Sequence, residues 1–147
     1  MQMSFGTLEL AERLNRDNVL LKIEALIEWE ELRPKLTGLY KRELSHGGGQ
    51  EPFDGLLMFK AILLGQWHSL SDAALEQALC VRIDFMQFCG LSLSDAIPDE
   101  TTLCRFRNRL ITNDRLDDLL ASINEQLQCH GLMIKGATGA VIDATLI

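Results

Sequence analysis

The side chains best suited to chemistry lie on one face of a short predicted helix in the second half of the chain. Leu103, Phe106 and Leu110 are spaced i, i+3 and i+7, so we expect them to face the core. The opposite face carries Thr101, Thr102, Arg105, Asn108 and Arg109. Arginine can bridge guanine O6 and N7, asparagine can bridge adenine N6 and N7, and threonine can bond a phosphate or contact a thymine methyl group. This face is therefore a candidate DNA-binding surface, with Arg107 as a flanking phosphate contact.

The same face also has a simpler interpretation, namely a solvated helix whose arginines pair with acidic residues elsewhere. The overall charge favours this alternative, because 21 acidic residues against 14 basic ones give a net charge of -7. The charge is uneven, however, since residues 101–113 contain three arginines and no acidic residue. Fields near a surface act over about 8–10 Å at physiological salt, so the local sign matters more than the total. Both interpretations stay open on the residue pattern.

Two further predicted helices precede this face and position it. Ser71 is a suitable N-cap for a helix over residues 72–79, and Gly90 is placed to end a short helix over residues 82–88. The basic helix follows a turn-rich stretch and can begin at either of two capping residues, Asp99 or Thr101. This order of helices is typical of a helix-turn-helix-like segment, whose last helix enters the major groove.

Helical periodicity continues through most of the chain and predicts a mainly α fold, a helical bundle. Residues 54–68 are apolar over much of the helix circumference, which indicates a central position in the core. Upstream, the apolar periodicity of Leu20, Ile23 and Ile27 is expected to stop at Pro34.

The flanking segments complete the predicted organisation. A second helix is expected within residues 35–44, followed by a glycine-rich linker over residues 46–50, because glycine disfavours a helix. Asp114 is expected to cap another helix, with two aspartates in its first turn, and Gly131 to end it. The β-branched apolar run over residues 140–147 predicts a hairpin or a buried strand.

Composition excludes several other classes of protein. At 47% hydrophobic and 24% charged residues, the chain has the composition of an ordinary globular protein. Its longest apolar run is shorter than the roughly 20 residues that cross a bilayer, and its charged N-terminus is unlike a signal peptide, so we expect a cytoplasmic location. The four cysteines lack paired CxxC spacing and are expected to be reduced thiols, and no zinc-ligand spacing links them to the three histidines.

Four segments occur in a characteristic order and spacing: LLMFKA at 56–61, QWHSLSD at 66–72, PDETTLCRFRNRL at 98–110 and VIDATLI at 141–147. Together they resemble the motifs of InsH-like (IS-five group) bacterial insertion-sequence DDE transposases. The likeness runs from about Met3 to the last residue.

This resemblance implies a helical region that recognises the terminal inverted repeats of the element in double-stranded DNA. A ribonuclease-H-like catalytic domain would follow, in which two aspartates and a glutamate hold two divalent metal ions. The first of these aspartates matches Asp143, which thereby inherits a catalytic and metal-binding role, and Mg²⁺ is the cofactor implied for the complete transposase.

The implied organisation has three parts: an N-terminal helical region with the linker over 1–50, a helix-turn-helix-like DNA-binding domain over 51–131, and the first strand of a truncated ribonuclease-H-like domain over 132–147. Because the chain ends four residues after Asp143, the second aspartate and the glutamate are expected to be missing. We therefore expect that the chain alone neither cleaves DNA nor requires a cofactor.

Four interpretations of the function stay open at this level. The chain is the DNA-binding region of a transposase, the first half of a split or frameshifted active transposase, or a stand-alone binder that regulates or inhibits transposition. A folded remnant without DNA affinity is the further alternative. The expected partners are terminal-repeat DNA, a full-length or complementary transposase chain and a second copy of this chain, with no membrane partner.

Overall fold

The computed structural model describes residues 18–37, 53–135 and 140–143 of the chain. Within these ranges the protein is mainly helical, as predicted. Its helices are α1 (Val19–Leu26), α2 (Arg33–Leu36), α3 (Gly55–Trp67), α4 (Asp72–Val81), α5 (Ile83–Cys89), α6 (Glu100–Thr112) and α7 (Leu116–Cys129). A 3₁₀ turn at Trp29–Glu31 lies between α1 and α2, and two strands, β1 (Leu132–Lys135) and β2 (Ala140–Asp143), follow α7.

Helix α3 lies at the centre of the hydrophobic core, as its apolar circumference predicts. Ten of its 13 residues are buried, and it contacts α2, α4, α5 and α6. Gly65 permits the close approach of α4, because a Cβ atom at this position would lie 3.0 Å from Leu75 Cδ2. The removal of this apolar surface from water is the main force that holds the helices together.

Helix α3 also buries Lys60, which the apolar periodicity does not predict. The Lys60 ammonium Nζ lies 3.2 Å from Glu24 Oε1 and 4.5 Å from the ring centroid of Trp29. It thus has both a counter-ion and an aromatic face, which offset the cost of removing a charge from water. The contact joins α1 and the 3₁₀ turn to α3.

A buried carboxylate makes a second polar connection, between α1 and α5. Asp84 accepts hydrogen bonds from Arg82 Nη2 at 2.7 Å and from Asn18 Nδ2 at 3.4 Å. Burial alone would raise the pKa of Asp84, but these hydrogen bonds hold it below the ordinary value of 3.8. The ionised carboxylate is therefore the form that the fold accommodates.

The N-terminal described segment packs on the same core as the rest of the molecule. Leu20 and Ile23 are buried on α1, as predicted, and Asn18 Oδ1 caps the helix by accepting from Leu20 N at 2.9 Å. The prediction that Pro34 ends a helix is wrong, because α1 already ends at Leu26 and Pro34 lies in the first turn of α2. Proline suits that position, where the missing N–H has no helical acceptor to lose.

The predicted N-cap of α4 and the predicted stop of α5 are confirmed, whereas α4 extends beyond its predicted end at residue 79 to Val81. Ser71 Oγ accepts a hydrogen bond from Ala74 N at 3.1 Å and so caps α4. Gly90 ends α5 in the left-handed conformation, with φ 80°.

The predicted boundary between α6 and α7 is partly wrong. Asp114 does not cap α7, since the N-cap is Arg115 and it makes no capping hydrogen bond through its side chain. Asp114 instead lies in the left-handed region, with φ 54°, where the chain leaves α6. Arg115 N donates to Leu110 O at 2.8 Å and Asp114 N to Ile111 O at 3.1 Å, the pattern of a Schellman motif.

The two strands form an antiparallel hairpin, in which Leu132 pairs with Asp143 and Lys135 with Ala140. A strand within 140–147 was predicted, and β2 occupies the first half of that range. The assignment of this segment to the first strand of a ribonuclease-H-like domain is not supported, because β2 is the second strand of a hairpin that begins at Leu132. Hairpin strand β1 contacts α7, which precedes it directly.

Some predicted features lie outside the described residues, namely the predicted helix beyond Thr37, the linker over 46–50 and residues 144–147. Among the helices that the structure describes, none has the length and apolar character needed to span a bilayer.

Candidate nucleic-acid interface

The candidate interface is built on α6, whose N-terminal end is fixed by two carboxylates. Asp99 caps the helix, since its Oδ1 accepts from Thr102 N at 2.8 Å. Glu76 on α4 supplies a second acceptor, because its Oε1 receives the Glu100 N–H at 2.8 Å. Both contacts satisfy N–H groups that have no partner inside the helix.

The inner face of α6 is confirmed. Leu103, Phe106 and Leu110 have 0% exposure, and all three belong to the hydrophobic core. Their burial fixes which side of the helix points outward.

The outer face presents most of the side chains predicted to contact DNA. Thr101, Arg105 and Asn108 are exposed, whereas Thr102 and Arg109 are half-buried at the margins of this face. Within the part of the chain that the structure describes, the Arg105 guanidinium makes no hydrogen bond or salt bridge, although its charge helps to lower the pKa of Asp99. We call Thr101, Arg105 and Asn108 the outer triad of α6.

One local contact involves a side chain of this set, and a second closes the end of the helix. Asn108 Nδ2 lies 3.6 Å from Cys104 Sγ, one turn earlier on α6. The Arg109 carbonyl oxygen accepts from Asn113 Nδ2 at 2.7 Å, which closes the end of the helix. The Asn108 amide is therefore held only weakly, because sulfur is a weak acceptor, and its donors stay available to another group.

Arg107 does not lie on the outer face with the other predicted contacts. Its guanidinium reaches α4, where Nη1 donates to Asp72 Oδ1 and Nη2 donates to Asp72 Oδ2 at 2.8 Å. Hydrogen bonds from Arg107 hold the pKa of Asp72 below its ordinary value of 3.8, and the bond to Asp72 raises the pKa of Arg107. The simpler interpretation, an arginine paired with an acidic residue, thus describes Arg107 in this structure.

The N-terminal end of α6 is acidic, while its middle is basic. Asp99, Glu100 and Glu76 place three carboxylates around the first turn, and hydrogen bonds from the Thr102 backbone and hydroxyl lower the pKa of Asp99. The carboxylates offset the partial positive charge that a helix N-terminus offers to a phosphate. A phosphate backbone is therefore better received beside Arg105 and further along α6.

The connection before α6 is longer than in a helix-turn-helix. Residues 90–99 separate α5 from α6, whereas the motif joins its two helices by a turn of about 3–4 residues. The connection between α4 and α5 is much shorter, since Arg82 alone separates these two helices. The structure thus contains a three-helix unit that ends in a basic helix, and the helix-turn-helix assignment stays a prediction.

A family model described as Transposase domain (DUF772) matches residues 8–109. The chain belongs to this family. The match covers more than half of the 147 residues and includes α1 to α5 and all but the last three residues of α6. The transposase family expected from the sequence motifs is thereby confirmed at this level. No solved structure matches the chain.

The cysteines of this transposase-domain protein form no disulfide among the described residues. All four are free, and burial raises the pKa of the Cys89 thiol to about 12, so it stays protonated and inert. In the described part of the chain, no group of three or more His, Cys, Asp or Glu residues is placed to hold a metal ion. Asp143 is the last described residue of β2, and its catalytic and metal-binding role stays a prediction.

Sequence reasoning missed the two α4 carboxylates that contact α6. Asp72 lies 35 residues from Arg107, and Glu76 lies 24 residues from Glu100. No local periodicity reports a contact over such a separation. One signal was available in the sequence, since Asp72 and Glu76 are spaced i, i+4. Acidic residues at this spacing lie on one face of a helix and can contact a basic neighbour together.

Proposed function

We propose that this protein binds double-stranded DNA through the outer face of α6, as the region of an insertion-sequence transposase that recognises terminal inverted repeats. The observation that carries the proposal is the contrast between the two faces of α6. One face is fully buried, and the other presents the outer triad, whose Arg105 makes no hydrogen bond or salt bridge with the described residues. Membership of the transposase-domain family supports DNA as the partner.

The docking mode follows from the charge distribution along α6. The acidic first turn repels phosphate, so the helix approaches the duplex through its middle and C-terminal half. Arg105 and Asn108 then face base edges, with Thr101 and Thr102 nearer the margin of the groove and Arg109 beside the backbone. Few phosphates are neutralised by so few cations, so affinity depends on base contacts more than is usual for a basic protein.

The finer assignment, an InsH-like (IS-five group) DDE transposase, belongs to the same proposal. Asp143 would be the first metal-binding carboxylate of its catalytic domain, and Mg²⁺ would stabilise the attacking and leaving oxygens of strand transfer. Mg²⁺ is held by several carboxylate and water oxygens, and among the described residues no group of three or more His, Cys, Asp or Glu is placed to hold a metal ion. We propose DNA binding as the function of the region described.

Binding is tested with a duplex selected by the wild-type chain from randomised DNA. We expect Arg105→Ala to weaken binding to the selected duplex by about 1–3 kcal/mol and to relax the preference at one base position. Lys22→Ala is the matched control, because Lys22 is an exposed cation on α1 and its loss changes the net charge equally. Affinity is measured by fluorescence anisotropy over a range of salt concentrations.

Two results would contradict the proposal. One is a wild-type chain that enriches no sequence and shows no salt-dependent affinity. The other is an Arg105→Ala variant with the affinity and base preference of the wild type, which would leave the outer face as solvated surface.

A further inference from the structure

We propose that Asp72 and Glu76 on α4 are positioning residues that set the rotation of α6 in this interface, and that Arg107 serves the same purpose instead of contacting phosphate. The inference rests on the DNA-binding function proposed above. We call Asp72 and Glu76 the α4 carboxylate pair.

The α4 carboxylate pair contacts α6 at two separate points. Asp72 and Glu76 are spaced i, i+4 and lie on the same side of α4. Asp72 accepts both donors from Arg107, and Glu76 accepts the backbone N–H of Glu100. Residues 100 and 107 are about two helical turns apart, so the contacts are separated by roughly 10 Å along α6. The buried face already determines which side of α6 points outward, and two polar contacts this far apart define its rotation and tilt more finely than one contact does.

Arg107 and Arg105 point in directions too different for both side chains to contact the same DNA groove. Residues two apart on a helix point in directions that differ by roughly 160°, because each residue turns the helix by about 100°. Arg105 is exposed on the outer face, while only 34% of the Arg107 side chain is exposed and its guanidinium is engaged by Asp72. A groove that receives Arg105 therefore does not reach Arg107.

Apolar packing does not replace this ion pair. Asp72 and Arg107 line an open surface cleft of about 220 Å³ between α3, α4 and α6, together with Ile62, Leu70 and Leu75. Arg107 is the α6 residue in the lining of this cleft, so the ion pair, not apolar packing, is the contact that α6 makes there. The bidentate geometry of an arginine–carboxylate pair gives this contact between α4 and α6 a defined orientation.

The test compares Asp72→Asn with Asp117→Asn, which removes the same charge from the exposed first turn of α7. Four quantities are measured for each variant: affinity for the duplex selected by the wild type, affinity for poly(dI-dC), the salt dependence of each affinity, and the base preference in a repeated selection. Thermal unfolding verifies the fold. Arg107→Lys is the second variant, since lysine keeps the charge but cannot form the bidentate pair.

We expect Asp72→Asn to lower affinity for the selected duplex about tenfold, the loss typical of one misplaced base contact. Its affinity for poly(dI-dC) should change only as much as that of Asp117→Asn, and its salt dependence should match the wild type. Arg107→Lys should broaden the base preference in the same way. A change in stability alone would not alter the base preference of the folded molecules.

A rise in DNA affinity in the Asp72→Asn variant would overturn the inference. If Arg107 contacts phosphate, Asp72→Asn frees it, so affinity rises for both duplexes beyond the Asp117→Asn effect and the salt dependence steepens by about one phosphate. Unchanged base preference in both Asp72→Asn and Arg107→Lys, with Arg105→Ala still defective, overturns the positioning role and leaves the proposed function intact. A wild-type chain that selects no DNA refutes both.

Discussion

Helices α6 and α7 are alike on their inner faces and opposite on their outer faces. Each places three side chains in the core with at most 1% exposure, namely Leu103, Phe106 and Leu110 on α6, and Leu119, Ile123 and Leu127 on α7. Beyond Glu100, α6 carries three arginines and no acidic residue, whereas α7 carries three acidic residues and no basic one. The spacing of apolar residues thus determines how each helix packs on the core. The charge of the outer face determines which partners the helix can bind.

The acidic face of α7 has a structural explanation that needs no partner. Asp117 and Asp118 lie in its first turn, where carboxylates interact favourably with the helix dipole. Asp118 also forms an ion pair with Lys35 at 2.9 Å, which connects α7 to α2. Such a face repels phosphate, so it directs the proposed DNA contact to the side of the molecule that α6 occupies.

The largest effect is expected where the two helices are alike. Phe106→Ala should destabilise the fold by about 3–5 kcal/mol and Ile123→Ala by about 2–5 kcal/mol, because each leaves a cavity in the same core. Urea unfolding at a fixed temperature measures both. A loss below 1 kcal/mol at either position would mean that the inner faces are not equivalent.

A smaller effect is expected where the helices end differently. Helix α7 is followed by Gly131 with φ 74°, and α6 by Asp114 with φ 54°. Gly131→Ala should destabilise the protein by about 1–2 kcal/mol, since a Cβ atom is disfavoured in the left-handed region. Asp114→Ala should cost less than Gly131→Ala, because Asp114 already has a Cβ atom. Denaturant midpoints compare the two variants, and equal losses would contradict this explanation.

The smallest effect is expected in the pH dependence of stability. It concerns Asp72, which forms an ion pair with Arg107 on α6. The pKa of Asp72 in the folded protein is below 3.8, so the stability contributed by its ionised form is present above that value. It is lost as the pH falls through the lower folded pKa. Unfolding free energies between about pH 5 and pH 1 should therefore decline less steeply for Asp72→Asn than for the wild type. Parallel profiles would show that the Asp72–Arg107 pair is not coupled to folding.

The elements of the fold could largely be predicted from local patterns. The caps at Ser71 and Asp99 and the stop at Gly90 use hydrogen bonds or backbone conformations that nearby residues determine. The errors at Pro34 and Asp114 have one cause, because proline and aspartate each suit two neighbouring positions at a helix boundary. Which position each occupies depends on where the preceding helix ends.

The site was less predictable than the helix that carries it. Periodicity placed Arg105 and Asn108 outward correctly, since the buried residues of α6 determine the opposite face. The spacing also turns Arg107 away from Arg105, but the periodicity does not report its partner, Asp72, which lies in another helix. Long-range ion pairs of this kind follow from tertiary packing, and a single sequence contains no period that reports them.

The burial of Lys60 beside Trp29 has a spectroscopic consequence. The chain has two tryptophans, and both contact the ring of Phe88. The ring centroid of Trp29 lies 5.5 Å from that of Phe88 in an edge-on arrangement, and the ring centroid of Trp67 lies 5.8 Å away in a stacked one. Their emission therefore reports on one shared environment inside the core, where a nearby ammonium acts on the Trp29 indole. Intrinsic fluorescence should follow unfolding closely yet stay constant when a duplex contacts α6, so any change in emission during a DNA titration would signal a rearrangement of the core itself.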